Sequence, residues 1–200
     1  MCYKSDETVK HLLSNCEPLA KIDYIRRHNR ALQCILFPLL QTNKFIDDCP
    51  PWYTKVTIKA RYENENLTLL WDIPEYSGAE DEEEDKIQRP DGKLTLKQQK
   101  KIIVLEMSVP WIENRETKIK EKEEKYKDII TRLKVENPGY QVDQATFIID
   151  VLGGYSPHLK RNIAKLGYKS DETNRILMKL QKIVLSEAGY TINKFNMKVL

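Results

Sequence analysis

The 200-residue chain predicts an α/β protein with a mixed sheet flanked by helices, and three features of its pattern carry that expectation. Apolar stretches of strand length alternate with amphipathic stretches of helical period. From residue 87 onward their order is strand, strand, helix, strand and then two helices, the arrangement in which helices cover a sheet. Proline and glycine clusters at Cys49-Pro50-Pro51, Pro110 and Asn137-Pro138-Gly139 separate the stretches.

Element by element, Leu19, Ile22, Ile25, Ala31, Leu32 and Ile35 recur at helical spacing, which predicts a long helix over 19–40. Pro18 stands near its start, Pro38 is expected to interrupt it, and Arg26-Arg27-His28-Asn29 falls on its more polar side. A boundary follows at 49–51, dividing residues 1–49 from 50–200. Segments 56–60 and 67–72 read as strands, and the acidic, low-complexity stretch 76–88 reads as a mobile loop. Residues 87–91 are expected to turn through Asp91-Gly92-Lys93 towards an apolar strand over 102–109, which Pro110 stops. Segment 113–135 reads as one charged helix with Ile119, Tyr126, Ile129, Ile130 and Leu133 on its apolar face, Lys122 within that face, and Lys118 and Lys125 at its edge. A strand over 145–152 and helices over 157–166 and 171–187 complete the chain. Tyr-Lys-Ser-Asp-Glu-Thr occurs at 3–8 and again at 168–173, but the flanks differ and no structural repeat follows.

Composition narrows the class. At 40% hydrophobic residues the chain has material for one main core and a smaller appendage. Its longest apolar runs, such as Ile35-Leu36-Phe37-Pro38-Leu39-Leu40, fall far short of the roughly 20 residues a membrane helix needs. The polar start, Lys4 to Glu7, is unlike a secretory leader, so an intracellular protein is expected. Cys2, Cys16, Cys34 and Cys49 then read as thiols or metal ligands rather than disulfides. The net charge of +3 is small, but lysines crowd 97–101 and 118–127 while acids crowd 80–85. That asymmetry suits a phosphate-backbone ligand and equally a solvated charged surface.

The chemistry centres on two acids. Asp91, in Arg89-Pro90-Asp91, precedes by fourteen intervening residues Glu106, which sits in the apolar run Ile102-Ile103-Val104-Leu105-Glu106-Met107. A buried, uncompensated charge is destabilising by several kcal/mol, about 3 to 5, so Glu106 needs a partner. Two carboxylates on neighbouring strands can converge on a hard divalent ion, Mg2+ or Mn2+, which is the requirement of metal-assisted phosphodiester hydrolysis. A lysine to orient or deprotonate the water is expected two residues after the acid. Ser108 stands there, so Lys122 is the first replacement and Lys125 the second. The bland readings are a Pro-Asp turn and lysines that lay their stems on apolar neighbours. Backbone phosphates would follow Lys97, Lys100 and Lys101 with Arg26 and Arg27.

Taken together, Arg89-Pro90-Asp91, the fourteen-residue spacing, Glu106 and the following Lys122-Glu123-Glu124-Lys125-Tyr126 resemble the restriction-enzyme-like endonuclease at the C-terminus of site-specific non-LTR retrotransposon polyproteins, a branch of the PD-(D/E)xK nucleases. Upstream, Cys2, His11 and Cys16 resemble the later three ligands of that family's Cys-Cys-His-Cys zinc knuckle, and Arg27-His28-Asn29 resembles the segment after it. The resemblance implies a truncated knuckle and helical linker over 1–49 and a restriction-endonuclease-like domain over 50–200. It implies Mg2+ or Mn2+ at Asp91 and Glu106 with Lys122 or Lys125 assisting, and Zn2+ at Cys2, His11 and Cys16, a site that is either truncated or completed by Cys34 or Cys49. It implies DNA contacts from Arg26, Arg27, His28, Arg89, Lys97, Lys100 and Lys101. The implied activity nicks target DNA in the nucleus to prime a reverse transcriptase domain of the parent polyprotein, with element RNA as a further partner. Ser108 and the incomplete knuckle motivate a rival expectation, a catalytically inactive nucleic-acid-binding remnant. A protein-interaction domain whose charged segments are simply surface is a third.

Overall fold

A computed structural model describes residue 6, residues 8–76 and residues 87–199. A five-stranded sheet lies at the centre, formed by β1 (Arg61–Glu63), β2 (Leu67–Trp71), β5 (Gly92–Leu96), β6 (Lys101–Ser108) and β7 (Gln141–Ile148) in the order β1-β2-β5-β6-β7. The first three pairings are antiparallel and β6–β7 is parallel, so the sheet is mixed. A two-stranded ribbon of β3 (Glu75–Tyr76) and β4 (Ile87–Gln88) stands apart from it. The helical part comprises a wide turn at His11–Asn15, the single turn α1 (Glu17–Leu19), then α2 (Ile25–Thr42), α3 (Arg115–Lys125), α4 (Lys127–Glu136), α5 (Pro157–Ala164) and α6 (Ser170–Val199). None of these helices is long and apolar enough to cross a membrane, among the described residues.

Strand β6 is buried on both faces, and its period of two sorts its side chains. Ile103, Leu105 and Met107 join the core that α2, α5 and α6 build with β2, β5 and β7. Ile102 and Val104 pack instead with Tyr126, Ile129 and Leu133 of the α3–α4 region. Glu106 belongs to this second face. Leu32, Ile35, Leu36 and Leu40 of α2 share the first core with Leu67, Leu94 and Phe147 from the sheet, so residues on both sides of position 50 are buried together.

The structure corrects several sequence expectations. Helix α2 is not interrupted at Pro38 but continues to Thr42. The proline forfeits one backbone donor, and burial of Leu36, Phe37, Leu39 and Leu40 around it holds the helix. Segment 56–60 forms no strand. The Lys59 N–H bonds the Tyr62 hydroxyl rather than a neighbouring strand, although Val56 and Ile58 do pack on the core. The expected turn at Asp91-Gly92-Lys93 is the start of β5, a central strand, and the chain reverses at 97–100 instead, where Lys100 adopts a φ of 48°. Gly92 suits that central position because a Cβ there would lie 3.1 Å from the Leu70 carbonyl oxygen and 3.3 Å from Leu105. The single helix expected over 113–135 is two, broken at Tyr126. The acids at 80–85 and Cys2 lie outside the described residues.

Candidate active site

Two strands of unequal reach create the site. Pairing of β5 with β6 ends at Gly92–Leu105, while β6 runs on to Ser108. One step further along the same antiparallel ladder sets Asp91 across from Glu106, on one face of the sheet. Beyond that point the backbone of β6 has no strand neighbour on this side, and the Asp91 side chain takes the place of one. Its Oδ2 accepts the Met107 N–H at 2.6 Å.

Glu106 is 3% exposed and both its oxygens are engaged. Lys122 donates Nζ to Oε1, and the Tyr126 hydroxyl donates to Oε2 at 2.8 Å. The break between α3 and α4 turns Tyr126 inward, where it is fully buried and its hydroxyl also lies 3.2 Å from the Arg89 carbonyl oxygen. Burial, reinforced by the negative charge of Asp91, raises the Glu106 carboxyl above the ordinary carboxylate range despite Lys122 and Tyr126. Burial followed by the Glu106 charge likewise raises the Tyr126 phenol. Lys125 does not reach Glu106; its Nζ donates to the Tyr126 hydroxyl at 2.9 Å.

From the other side α2 delivers His28. Its Nε2 stands 3.0 Å from Asp91 Oδ2 and 3.2 Å from the Met107 carbonyl oxygen, and its Nδ1 stands 3.0 Å from Asn29 Oδ1. Burial alone would lower its pKa, but hydrogen bonding to and the charge of Asp91 raise it above the ordinary value. Arg27, the preceding residue, is 3% exposed. It donates Nη2 to the Leu13 carbonyl at 2.8 Å, while Nε and Nη1 have no hydrogen-bond partner among the described residues. Burial lowers its guanidinium pKa to about 10.

These groups line one cleft of about 600 Å3, which holds Arg27, His28, Arg89, Asp91, Glu106, Lys118, Lys122 and Lys125 together. A hollow of about 450 Å3 shares Tyr24, His28 and Asp91 with it. Of the residues singled out in the sequence, the fold thus gathers both acids, both lysines, Arg27, His28 and Arg89. It does not bring Arg26, Lys97, Lys100 or Lys101 there. Arg26 pairs with Asp23 and Glu187, and Lys97 donates to Glu63 and the Asn64 carbonyl. Lys101 opens β6, five residues and roughly 17 Å along the strand from Glu106. The sequence reading took Tyr126 as one more apolar contact of its helix; no signal in the sequence announces its hydroxyl. The Met107 carbonyl carries no signal either.

As for metals, no group of three or more His, Cys, Asp or Glu side chains lies close enough to hold an ion among the described residues. His11 and Cys16 are both buried. Cys34 lies a further eighteen residues along nearly continuous helix from Cys16, roughly 25 Å at 1.5 Å per residue, and cannot complete a site with it. Cys49 lies beyond the end of α2, its thiol donating to Gln41 Oε1 at 3.2 Å. The Asp91 corner differs, because a carboxylate oxygen, a ring nitrogen and a backbone carbonyl converge there. That donor set suits a cation. Compared with protein-family models and with curated proteins, the chain matches none.

Proposed function

We propose that the chain is a divalent-metal-dependent DNA endonuclease of the PD-(D/E)xK type, the nicking domain of a non-LTR retrotransposon polyprotein whose reverse transcriptase extends the cut end. One observation carries the reading: Asp91 and Glu106 oppose each other at the open edge of β6, in one cleft with Lys122. Asp91 and Glu106 would hold Mg2+ or Mn2+, which when bound supplies an activated water and neutralises charge on the phosphate. The chain's own residues do the rest. Met107 fixes the Asp91 carboxylate through its N–H, and Tyr126 orients Glu106. Lys122 Nζ holds a proton against Glu106 Oε1 and stands at the cleft wall, where it can pass that proton to a departing oxygen. Arg27 and Lys118 add positive charge for the flanking phosphates, so affinity for DNA falls as salt rises.

Supercoiled plasmid tests the proposal. Wild-type protein is expected to convert it to open circles in Mg2+ or Mn2+, and Asp91→Ala to lose at least a hundredfold of that rate. Wild-type protein that binds plasmid but leaves it supercoiled in both metals favours the second reading, a nucleic-acid-binding scaffold without cleavage. Two observations speak for that one: both Glu106 oxygens are already engaged, and Ser108 stands where a lysine is expected.

A further inference from the structure

The contacts of His28 set a ring nitrogen beside two oxygens at the wall of the cleft. Asn29 Oδ1 lies 3.0 Å from Nδ1, so in the tautomer with its proton on Nδ1 the ring offers a lone pair at Nε2, whereas the protonated ring donates from Nε2 to Asp91. That lone pair faces Asp91 Oδ2 at 3.0 Å and the Met107 carbonyl oxygen at 3.2 Å, both acceptors. A divalent cation in place of the Nε2 proton would be held by all three atoms at once. Nε2 stands from each oxygen at about the separation of neighbouring ligands in a coordination octahedron, since ligands at about 2.1 Å from an ion stand about 3.0 Å apart. The neighbouring arrangement is also that of a ligating histidine, whose second ring nitrogen donates to an oxygen and thereby fixes tautomer and ring plane. The Asp91 carboxylate is held in turn by the Met107 N–H.

We propose that His28 is a metal ligand, holding through Nε2, with Asp91 Oδ2 and the Met107 carbonyl, a divalent first-row transition ion. The proposal rests on the nuclease reading for the site's purpose, but not for the binding itself. A nitrogen donor among oxygens shifts preference away from Mg2+, which takes oxygen ligands almost exclusively, and towards ions that accept imidazole. Asn29 is the positioning residue, acting through the ring.

Mn2+ serves as the probe, added to the full chain and followed by electron paramagnetic resonance. Wild-type protein is expected to bind one Mn2+ with a 14N coupling from a directly bonded nitrogen. His28→Ala and the bulkier His28→Gln are expected to lose that coupling and to bind Mn2+ at least tenfold more weakly, while competition by Mg2+ changes less than threefold. His158→Ala, remote from the cleft, should keep both. The inference is overturned if wild-type protein binds Mn2+ without nitrogen coupling, if the coupling survives in both His28 variants, if they bind Mn2+ as tightly as wild type, or if wild type takes up no Mn2+ at millimolar concentration. The wild-type coupling needs no variant to fold. Asp91-dependent nicking without nitrogen coupling would remove this inference and leave the nuclease, whereas nitrogen coupling without nicking would do the reverse.

Discussion

Two clusters of buried charge flank helix α2, and they are built on opposite principles. Between α2 and α6, Glu187 is 1% exposed and takes both Arg26, at 2.7 Å, and Arg30. Asp23 takes Arg26 at 2.8 Å and Lys194 at 2.9 Å. Each acid there meets two cations, and the Arg26 guanidinium also lies 4.3 Å from the Tyr190 ring. In the cleft the balance is reversed. Glu106 meets Lys122 and, across the sheet, another acid, and its carboxyl is raised where a well-compensated one would not be. The first cluster fastens two helices. In the second, one cation alone touches the Glu106 carboxyl, which leaves its charge incompletely compensated, and that is how a protein keeps chemistry available at a buried place.

The largest expected effect is therefore on stability at the first cluster. Replacing Glu187 by Ala leaves Arg26 and Arg30 near a buried site without an anion, and removal of one partner from such a pair destabilises by about 3 kcal/mol, the low end of the range because both arginines keep some access to water. Urea unfolding of the variant measures it. Glu106→Gln, which swaps the carboxyl for a neutral amide of the same shape, is expected to change stability far less. Equal losses at the two positions would erase the distinction drawn here.

That second substitution also carries a pH signature. Because the Glu106 carboxyl is raised in the folded protein, the folded state holds its proton more tightly than the unfolded chain does. The stabilisation that this provides is complete below the ordinary carboxylate pKa and is lost as pH rises through the folded-state value. Glutamine never ionises. In metal-free buffer, the stability of Glu106→Gln relative to wild type should thus rise with pH above the ordinary carboxylate pKa. A relative stability that falls with pH would mean that Lys122 outweighs burial and Asp91, and that the cleft is compensated like the α2–α6 cluster.

How much of this was legible in the chain follows the same division. The strand carrying Glu106 was legible because a lone acid in a fully apolar run contradicts its surroundings, and the face joining Ile119, Tyr126, Ile129 and Leu133 was legible from its period. Strand β5 was hidden by the Asp91-Gly92 pair, a turn signal that here marks only a close backbone approach to Leu70. The α2–α6 cluster could not be read at all. Arg26 and Glu187 are 161 residues apart, and nothing local to either records the pairing. For the same reason Arg26 looked like a phosphate contact, and Lys97 to Lys101 read as a basic patch near the acids although they cap the far end of the hairpin. His28 was visible only as a neighbour of arginines. Its relation to Asp91 and to the Met107 carbonyl exists through packing of α2 against the sheet, which a one-dimensional pattern does not carry.

The smallest effect compares two tyrosines, one in each cluster. Tyr126 contributes a ring and a hydroxyl: the ring is fully buried among Ile102, Val104 and Ile129, and the hydroxyl serves Glu106. Phenylalanine would keep the packing and remove the hydroxyl with its bonds to Glu106, the Arg89 carbonyl and Lys125, so Tyr126→Phe is expected to lose about 1.5 kcal/mol, the low end for a hydrogen bond to a charged group. Tyr190 contributes a ring face to Arg26 and is half exposed. Tyr190→Phe keeps that face and should move the urea midpoint by less than about 0.5 kcal/mol, within the range of an ordinary surface change. If the two substitutions prove equal, the Glu106 carboxylate has no need of the Tyr126 hydroxyl, and the break between α3 and α4 that turns this tyrosine inward serves packing alone.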